Sequence, residues 1–435
     1  MTRPAAPARL AVIGAGDRGR TYASLAAASG AVIAAVAEPD DTRRERFGER
    51  FEVPAGRRSE SWDRLELTAD DVDGIVIATM DDLHVDPALR FAPLGVPLLL
   101  EKPIGCSWSD CEKLRDGLPQ SAPPLLVAHV LRYAPYTRVL RSLLAEGAVG
   151  EIVSIHHLEP VGFWHFAHSF TRGNWRSTAA AAPFMVSKAC HDIDWVMHLI
   201  GSECVAVSSF GALNHFRPEF RPDGAADRCV DCSVDCVYDA RSIYLDMAGA
   251  GDFSHPVSTI TEDTTVAGVQ HALEHTQFGE CVYHCDNDVI DTQVASLLFS
   301  GGQTASITVT AFTEARGRHS VIAGTSGEAT VDHRGVEVYS FRTRRRRFYP
   351  AGTDAAAISG PDIDAGHAGG DAAMIEYFLG EIASPTEAGG QAFADALRSH
   401  QVAFAVEESR LRQEVLDPRE LPALLARPDQ HRSCS

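Results

Sequence analysis

The apolar residues in the first third of the chain fall in short uninterrupted runs. These are Leu10-Ala11-Val12-Ile13, 31–37, 74–78, Leu98-Leu99-Leu100 and 125–128, separated by stretches of helical composition. Runs without alternation predict strands covered on both faces, hence a parallel sheet joined by crossover helices. From Ile152 the pattern changes to period two. Over 304–311, Ala305, Ile307, Val309 and Ala311 share one phase while Thr304, Ser306, Thr308 and Thr310 share the other. Ser300-Gly301-Gly302 turns that strand back on 294–299, and further strands are expected at 205–210, 319–323 and 336–339. The second part of the chain therefore reads as a domain built on an antiparallel sheet. Pro135 opens a helix whose apolar face is Val139, Leu140, Leu143 and Leu144. The stretch 352–370 reads as a loop, and 394–412 as a final helix. The division is placed between 1–128 and 129–435, with the last helix packing back toward the first domain.

Length and charge narrow the function classes. A chain of 435 residues accommodates two or three domains. Its formal net charge of −20 excludes a polyanionic partner such as nucleic acid, which needs a concentrated basic surface. No apolar run approaches the ~20 residues of a membrane span. Met1-Thr2-Arg3 leads into a strand without the apolar core of a signal peptide, so a cytoplasmic location is expected. Ten cysteines in such a chain are not a disulfide framework. The run Arg342-Thr343-Arg344-Arg345-Arg346-Arg347, flanked by Tyr339, Phe341, Phe348 and Tyr349, reads as a solvated strand edge that resists pairing; the alternative is an anion or subunit contact.

The first strand runs directly into Gly14-Ala15-Gly16-Asp17-Arg18-Gly19 and then a helix. Gly14 permits the tight turn, Gly16 lets the backbone approach a pyrophosphate, and Gly19 lets helix pack on strand. Asp17 and Arg18 sit at the helix N-terminus, whose N–H groups and dipole attract phosphate. Glu38 ends the second strand at the spacing expected of a carboxylate that accepts from the ribose hydroxyls of NAD. Arg43 and Arg44 keep NADP open. Thr79 ends another strand, and His84 just beyond it either contacts the nicotinamide half of the cofactor or caps the helix near Asp86-Pro87. After Leu98-Leu99-Leu100, Glu101-Lys102-Pro103 places a lysine at the carboxyl end of a central strand, where open α/β sheets bind ligands.

Taken together, Gly14–Gly19, Glu38, Glu101-Lys102-Pro103, Arg132-Tyr133-Ala134-Pro135 and His191-Asp192-Ile193-Asp194 resemble the Gfo/Idh/MocA oxidoreductases over nearly the whole chain. The resemblance implies an N-terminal Rossmann domain, with Glu101 and Lys102 at the cofactor, and a C-terminal α/β domain with an open, mostly antiparallel sheet. It also implies NAD(P)-dependent oxidation or reduction of a sugar, inositol or related polyol. Many members carry an aspartate four residues before the later histidine; here that position is Ser187, followed by Lys188, as in a subgroup with Lys-x-x-His. Phe163-Trp164-His165, Asn174-Trp175-Arg176 and 281–288 look similar to the same subgroup. The family also implies two alternatives: redox glycosidases that recycle NAD, and non-catalytic dinucleotide sensors.

Hydride transfer asks the protein to hold the substrate carbon against the cofactor and to move one proton. His191 is the expected base, Lys102 the group that stabilises charge on the reacting oxygen, and Lys188, three residues from His191 on a helix, a third proton-carrying group. Asp192 and Asp194 orient the ring or pair with Lys188. The run 163–176 combines aromatic faces with directional polar groups, so His165, His168, Arg172, Asn174 and Trp175 are assigned to a polyhydroxylated substrate, with Asp192 and His284. Cys229, Cys232 and Cys236, with His215, make a three-thiol, one-imidazole set for structural zinc; the alternative is three reduced thiols packed in a loop. The exposed sheet face predicts a homodimer or homotetramer.

Overall fold

The computed structural model describes residues 6–119, 123–179, 181–352 and 369–426. Most of the loop expected at 352–370 lies outside the described residues. The chain divides into two compact units, Met1–Ala134 with Gly370–Gln401, and Pro135–Gly369 with Val402–Ser435.

The first unit is built on a six-stranded parallel sheet ordered β3-β2-β1-β4-β5-β6. The strands are β1 (Arg9–Ile13), β2 (Val32–Ala37), β3 (Arg58–Ser59), β4 (Gly74–Ile77), β5 (Leu98–Leu100) and β6 (Leu125–Val127). The apolar runs are strands for the reason the pattern gave: Leu10, Val12, Ile75, Ile77, Leu98, Leu99 and Leu100 are fully buried or nearly so. The order reverses beside β1, so ligands are expected beyond the carboxyl ends of β1 and β4. The Gly370–Ala383 helix belongs to this unit, although it is far away in sequence. Its Phe378 and Ile382 close over Gly74 so tightly that a Cβ there would come 3.1 Å from the Phe378 ring.

The second unit is built on an eight-stranded sheet ordered β14-β13-β12-β11-β7-β10-β9-β8, antiparallel except where β7 (Ile152–Pro160) pairs with β10 (Thr304–Thr310). The other strands are β8 (Cys204–Ala212), β9 (Thr292–Phe299), β11 (His319–Gly324), β12 (Gly327–Asp332), β13 (Gly335–Ser340) and β14 (Arg345–Pro350). The alternation read in 304–311 is realised, with Ala305, Ile307, Val309 and Ala311 buried. The arginine run forms the turn into edge strand β14; there Arg346 pairs with Glu337 at 2.7 Å and lies over the Tyr339 ring. Among the described residues no helix is long and apolar enough to cross a membrane.

Candidate active site

In the first unit the three glycines do different work. A Cβ on Gly14 would collide with the Ala78 carbonyl, and one on Gly19 with the Gly14 carbonyl, so both are fixed by packing. Gly16 differs: nothing lies within 4 Å of where its Cβ would stand, and its φ of −66° suits any residue. It caps the Asp17–Ala28 helix without a side-chain hydrogen bond, which leaves the turn open over the first N–H groups. The buried Glu38 carboxylate accepts from the Ala15 N–H at 2.8 Å, the Asp40 N–H at 3.1 Å and Arg43 Nη1 at 3.3 Å. Arg44 donates to the Glu38 carbonyl at 2.8 Å and pairs with Asp41.

Half-buried Arg18 and buried Glu101 are held in one ionic cluster. Arg18 Nε donates to Glu101 at 2.8 Å, its Nη2 pairs with Asp371, and the Tyr22 hydroxyl donates to Glu101. Burial opposes the Arg18 charge, but the Asp371 carboxylate, with Tyr22 and Glu101, keeps its pKa well above the usual arginine value. Burial would likewise raise Glu101, but the Arg18 and Lys102 charges hold it below the usual carboxylate range. No sequence signal pairs Asp371 with Arg18: it follows a glycine-rich stretch and meets Arg18 only through the fold.

Lys102 is anchored through its backbone, whose N–H donates to Glu101 at 2.9 Å. The Lys102–Pro103 peptide is cis. Two buried histidines pin the residues that follow. His84 Nδ1 lies 2.5 Å from the Pro103 carbonyl and its Nε2 3.2 Å from that of Thr79. His400 accepts from the Ile104 N–H at 3.0 Å on Nε2, so its Nδ1 carries the proton donated to Ala396 O at 2.7 Å. Of the two alternatives for His84, the structure places it at the N-cap position of the Val85–Phe91 helix, without a side-chain cap bond, and both ring nitrogens serve the loops that bracket Lys102.

In the second unit the Cys190–Ile200 helix presents His191, Asp192 and Asp194, all buried. Lys188 is not on it. It lies in the turn after the short Phe184–Ser187 helix, so the shared helical face expected for Lys188 and His191 does not exist. Nor does Lys188 pair with Asp192; its Nζ is 3.4 Å from Glu159. Glu159 takes Arg318 Nε at 2.9 Å, and Arg318 also pairs with Asp192. His157 donates from Nε2 to Asp192 at 2.7 Å and faces the Ser320 hydroxyl at 2.8 Å with Nδ1. Two cations and two carboxylates thus balance beneath the helix that carries His191. A signal for this was present, since His157 and Glu159 occupy the buried phase of β7 with Ile155. Burial alone would raise the Asp192 pKa, but Arg318 and the His157 hydrogen bond hold it well below the aspartate range.

Breaking this balance is expected to be costly. Asp192→Asn leaves a buried positive charge unmatched and should lower stability by roughly 3–5 kcal/mol in denaturant titrations. Because the folded pKa is depressed, the carboxylate's contribution is complete above the ordinary aspartate value of about 3.9 and is lost as pH falls through the folded value. A variant as stable as the wild type at pH 7 would remove Asp192 as the anchor.

Residues 163–176 form a short helix, Phe163–Phe166, continued by a wide π-helical turn, Ala167–Arg172. His165 stacks on Phe170 and lies 5.9 Å from His255, centroid to centroid. Trp175 packs against Phe170, and Asn174 is exposed. His168 is buried, with Nδ1 2.7 Å from the Tyr244 hydroxyl and Nε2 3.1 Å from Thr259 Oγ1. Burial, aided by His255, pushes its pKa well below the histidine value, so it stays neutral. Arg172 is fully buried and donates to the carbonyls of Glu280 and Tyr238, both at 2.7 Å, which makes it a framework residue. The His284 side chain is half-exposed and stands 3.9 Å from Asp227.

The zinc set is also corrected. His215 Nε2 is 3.0 Å from the Tyr283 hydroxyl. Among the described residues, the one group of three or more potential ligands with atoms within 4.8 Å of one another is the exposed His271, Glu274 and His275. Cys229, Cys232 and Cys236 do not close on His215.

A family model described as the oxidoreductase family, NAD-binding Rossmann fold, matches residues 8–129, and one described as the oxidoreductase family, C-terminal alpha/beta domain, matches 141–410. YteT of Bacillus subtilis (strain 168) is 25% identical over 367 residues, 81% of this chain and 83% of that protein. The 2,7-anhydro-N-acetylneuraminate hydratase of Escherichia coli (strain K12) is 27% identical over 148 residues, 34% of this chain and 39% of that protein. Levoglucosan dehydrogenase, solved in complex with NADH and levoglucosan, shares the fold with a TM-score of 0.64 at 18% identity, over 94% of this chain and 99% of that one. With the parallel and antiparallel sheets each matched by its own model, and both in this order along one chain, the protein belongs to the Gfo/Idh/MocA oxidoreductase family.

Proposed function

We propose that this protein is an NAD-dependent dehydrogenase acting at a hydroxyl-bearing carbon of a sugar, aminosugar or cyclitol. The observation that carries the reading is the open turn at Gly16 beside the buried Glu38 carboxylate, a cradle that fits a dinucleotide. Bound there, NAD supplies the hydride acceptor. Glu38 accepts from the ribose hydroxyls and repels a 2′-phosphate, and Arg43 and Arg44 are already matched by Glu38 and Asp41, which favours NAD over NADP. Lys102 donates to the reacting oxygen and stabilises charge there, while His191 takes the hydroxyl proton. Lys188, paired with Glu159, sets the charge near His191. His165 and Trp175 offer the aromatic faces a sugar ring packs on, and Asn174 and His284 offer polar contacts. Arg172 and His168 shape the wall behind them. A polyol panel followed by NADH absorbance tests this; NAD binding without reduction by any member would refute it.

The hydratase relative favours a second reading, a redox-neutral reaction in which the hydride returns to the product. It predicts product formation with bound NAD and no net NADH. A dinucleotide sensor would instead keep its function when Lys102 and His191 are replaced.

The same reading places a second copy of the chain on the outward face of the large sheet. Phe210 and Val294, directly opposite each other on β8 and β9, are exposed there, with Leu298 nearby. Phe210→Asp should therefore roughly halve the mass measured by light scattering, as expected of an isologous pair. An unchanged mass would remove this face as the contact.

A further inference from the structure

Cys229, Cys232, Cys236 and Cys281 line one cleft of about 360 Å³, part of it open to solvent, together with Arg172, Tyr238 and Tyr283. Three thiols come from a single loop. The fourth arrives because the chain returns beside it: Arg228 bridges Glu280 in antiparallel fashion, and the Cys281 N–H donates to the Asp227 carbonyl at 2.8 Å. Cys281 thereby takes the place the spacing gave to His215.

Arg172 supplies the independent observation. It is 0% exposed, and its donors reach two backbone carbonyls and, at 3.5 Å, the Cys229 sulfur. Its Nη1 has no hydrogen-bond partner, and among the described residues no carboxylate stands within ion-pair distance of it. A fully buried guanidinium without an anion is costly, and neutral thiols do not offset it. A tetrathiolate around a divalent ion carries a net double negative charge and does.

We propose that Cys229, Cys232, Cys236 and Cys281 bind one structural zinc ion, with Arg172 as the buried counter-charge. Four S–H protons leave to solvent as four Zn–S bonds form, and no electron moves. Four soft sulfur ligands select zinc among common divalent ions and leave no open position for catalysis. Zn–S bonds of about 2.3 Å put tetrahedral sulfurs roughly 3.8 Å apart, so binding draws the 229–236 loop and Cys281 together. Cys285 is outside the set; its thiol faces the Cys281 carbonyl at 3.3 Å. Because Arg172 ends the wide turn that carries His168, the ion would brace the base of the proposed substrate segment.

The test is zinc content by mass spectrometry of the full-length protein after desalting, with cobalt loading of chelator-treated protein as a second readout. About one zinc per chain is expected in the wild type and in His215→Ala, Cys285→Ser and the His271→Ala/His275→Ala double variant, with loss of most of it in Cys236→Ser and Cys281→Ser. Arg172→Met should lose zinc to a competing chelator at least roughly tenfold more readily. If the serine variants fail to fold, the cobalt-loaded wild type decides: a sulfur-to-cobalt charge-transfer band of four-thiolate intensity supports the site, and its absence overturns it. A wild type that takes up no zinc, or one that loses it with His215 or with the His271–His275 pair, also overturns it. None of these readouts depends on turnover, so the dehydrogenase reading stands or falls separately.

Discussion

Gly16→Val should fold as the wild type does and lose NAD binding, whereas Gly19→Val should fail to fold stably. The two glycines are three residues apart, and a sequence motif treats them alike. The structure separates them. A Cβ at Gly16 has no protein atom within 4 Å and suits its φ of −66°, so the added bulk is directed into the space assigned to the pyrophosphate. A side chain at Gly19 drives into the Gly14 carbonyl and against Val12 at 3.4 Å, between helix and strand. Overpacking of that kind costs roughly 3 kcal/mol or more, since backbone cannot rotate away as a flexible side chain can. For Gly16→Val, calorimetric titration should show NAD affinity down by at least about a hundredfold, roughly 2.7 kcal/mol, with an unchanged melting curve. Wild-type affinity in that variant would move the cofactor away from this turn.

Lys102→Met and His191→Gln should each cut kcat while leaving NAD affinity within about twofold of wild type. Removing a positioned acid or base typically costs about 10²–10⁴ in rate, and removing a charge-stabilising donor about 10²–10³. The two variants differ in their pH dependence. A base acts in its neutral form, so wild-type kcat should climb with pH on its acid side, and His191→Gln should flatten that climb. Lys102→Met should lower the whole profile and keep its shape. A flattened profile in Lys102→Met with an intact one in His191→Gln would exchange the two roles. The rigidity of the Lys102 backbone adds a further expectation: with Pro103 and Ile104 held by His84 and His400, the loss should fall on kcat more than on KM.

What could be read beforehand follows the range over which each feature is encoded. The parallel strands, the glycine turn and Glu38 are fixed by neighbours within one crossover unit, and all were legible. So was the β10 alternation, because one buried face imposes period two on the residues themselves. Contacts between distant segments were not. Asp371 meets Arg18 across 353 positions, and Arg318 meets Asp192 across 126. The buried polar phase of β7 announced that His157 and Glu159 need partners without naming them. The residue pattern around Lys188 and His191 does not reveal the turn at Lys188–Ala189 that separates the two helices. His215 precedes the cysteine loop in sequence but turns its ring to the Tyr283 hydroxyl, because nearness in sequence is not nearness in space. The π-helical turn at Ala167–Arg172 has no signature that periodicity detects.

The neutral foursome of Lys188, Glu159, Arg318 and Asp192 also constrains how this sequence can drift over time. Replacing any one member strands a charge in the interior, so a lineage that alters one is driven to alter another of opposite sign. Glu159 with Lys188, the outermost couple, is where such exchanges should begin. The inheritance of these four positions is therefore joint, and a descendant missing a single member should be rare.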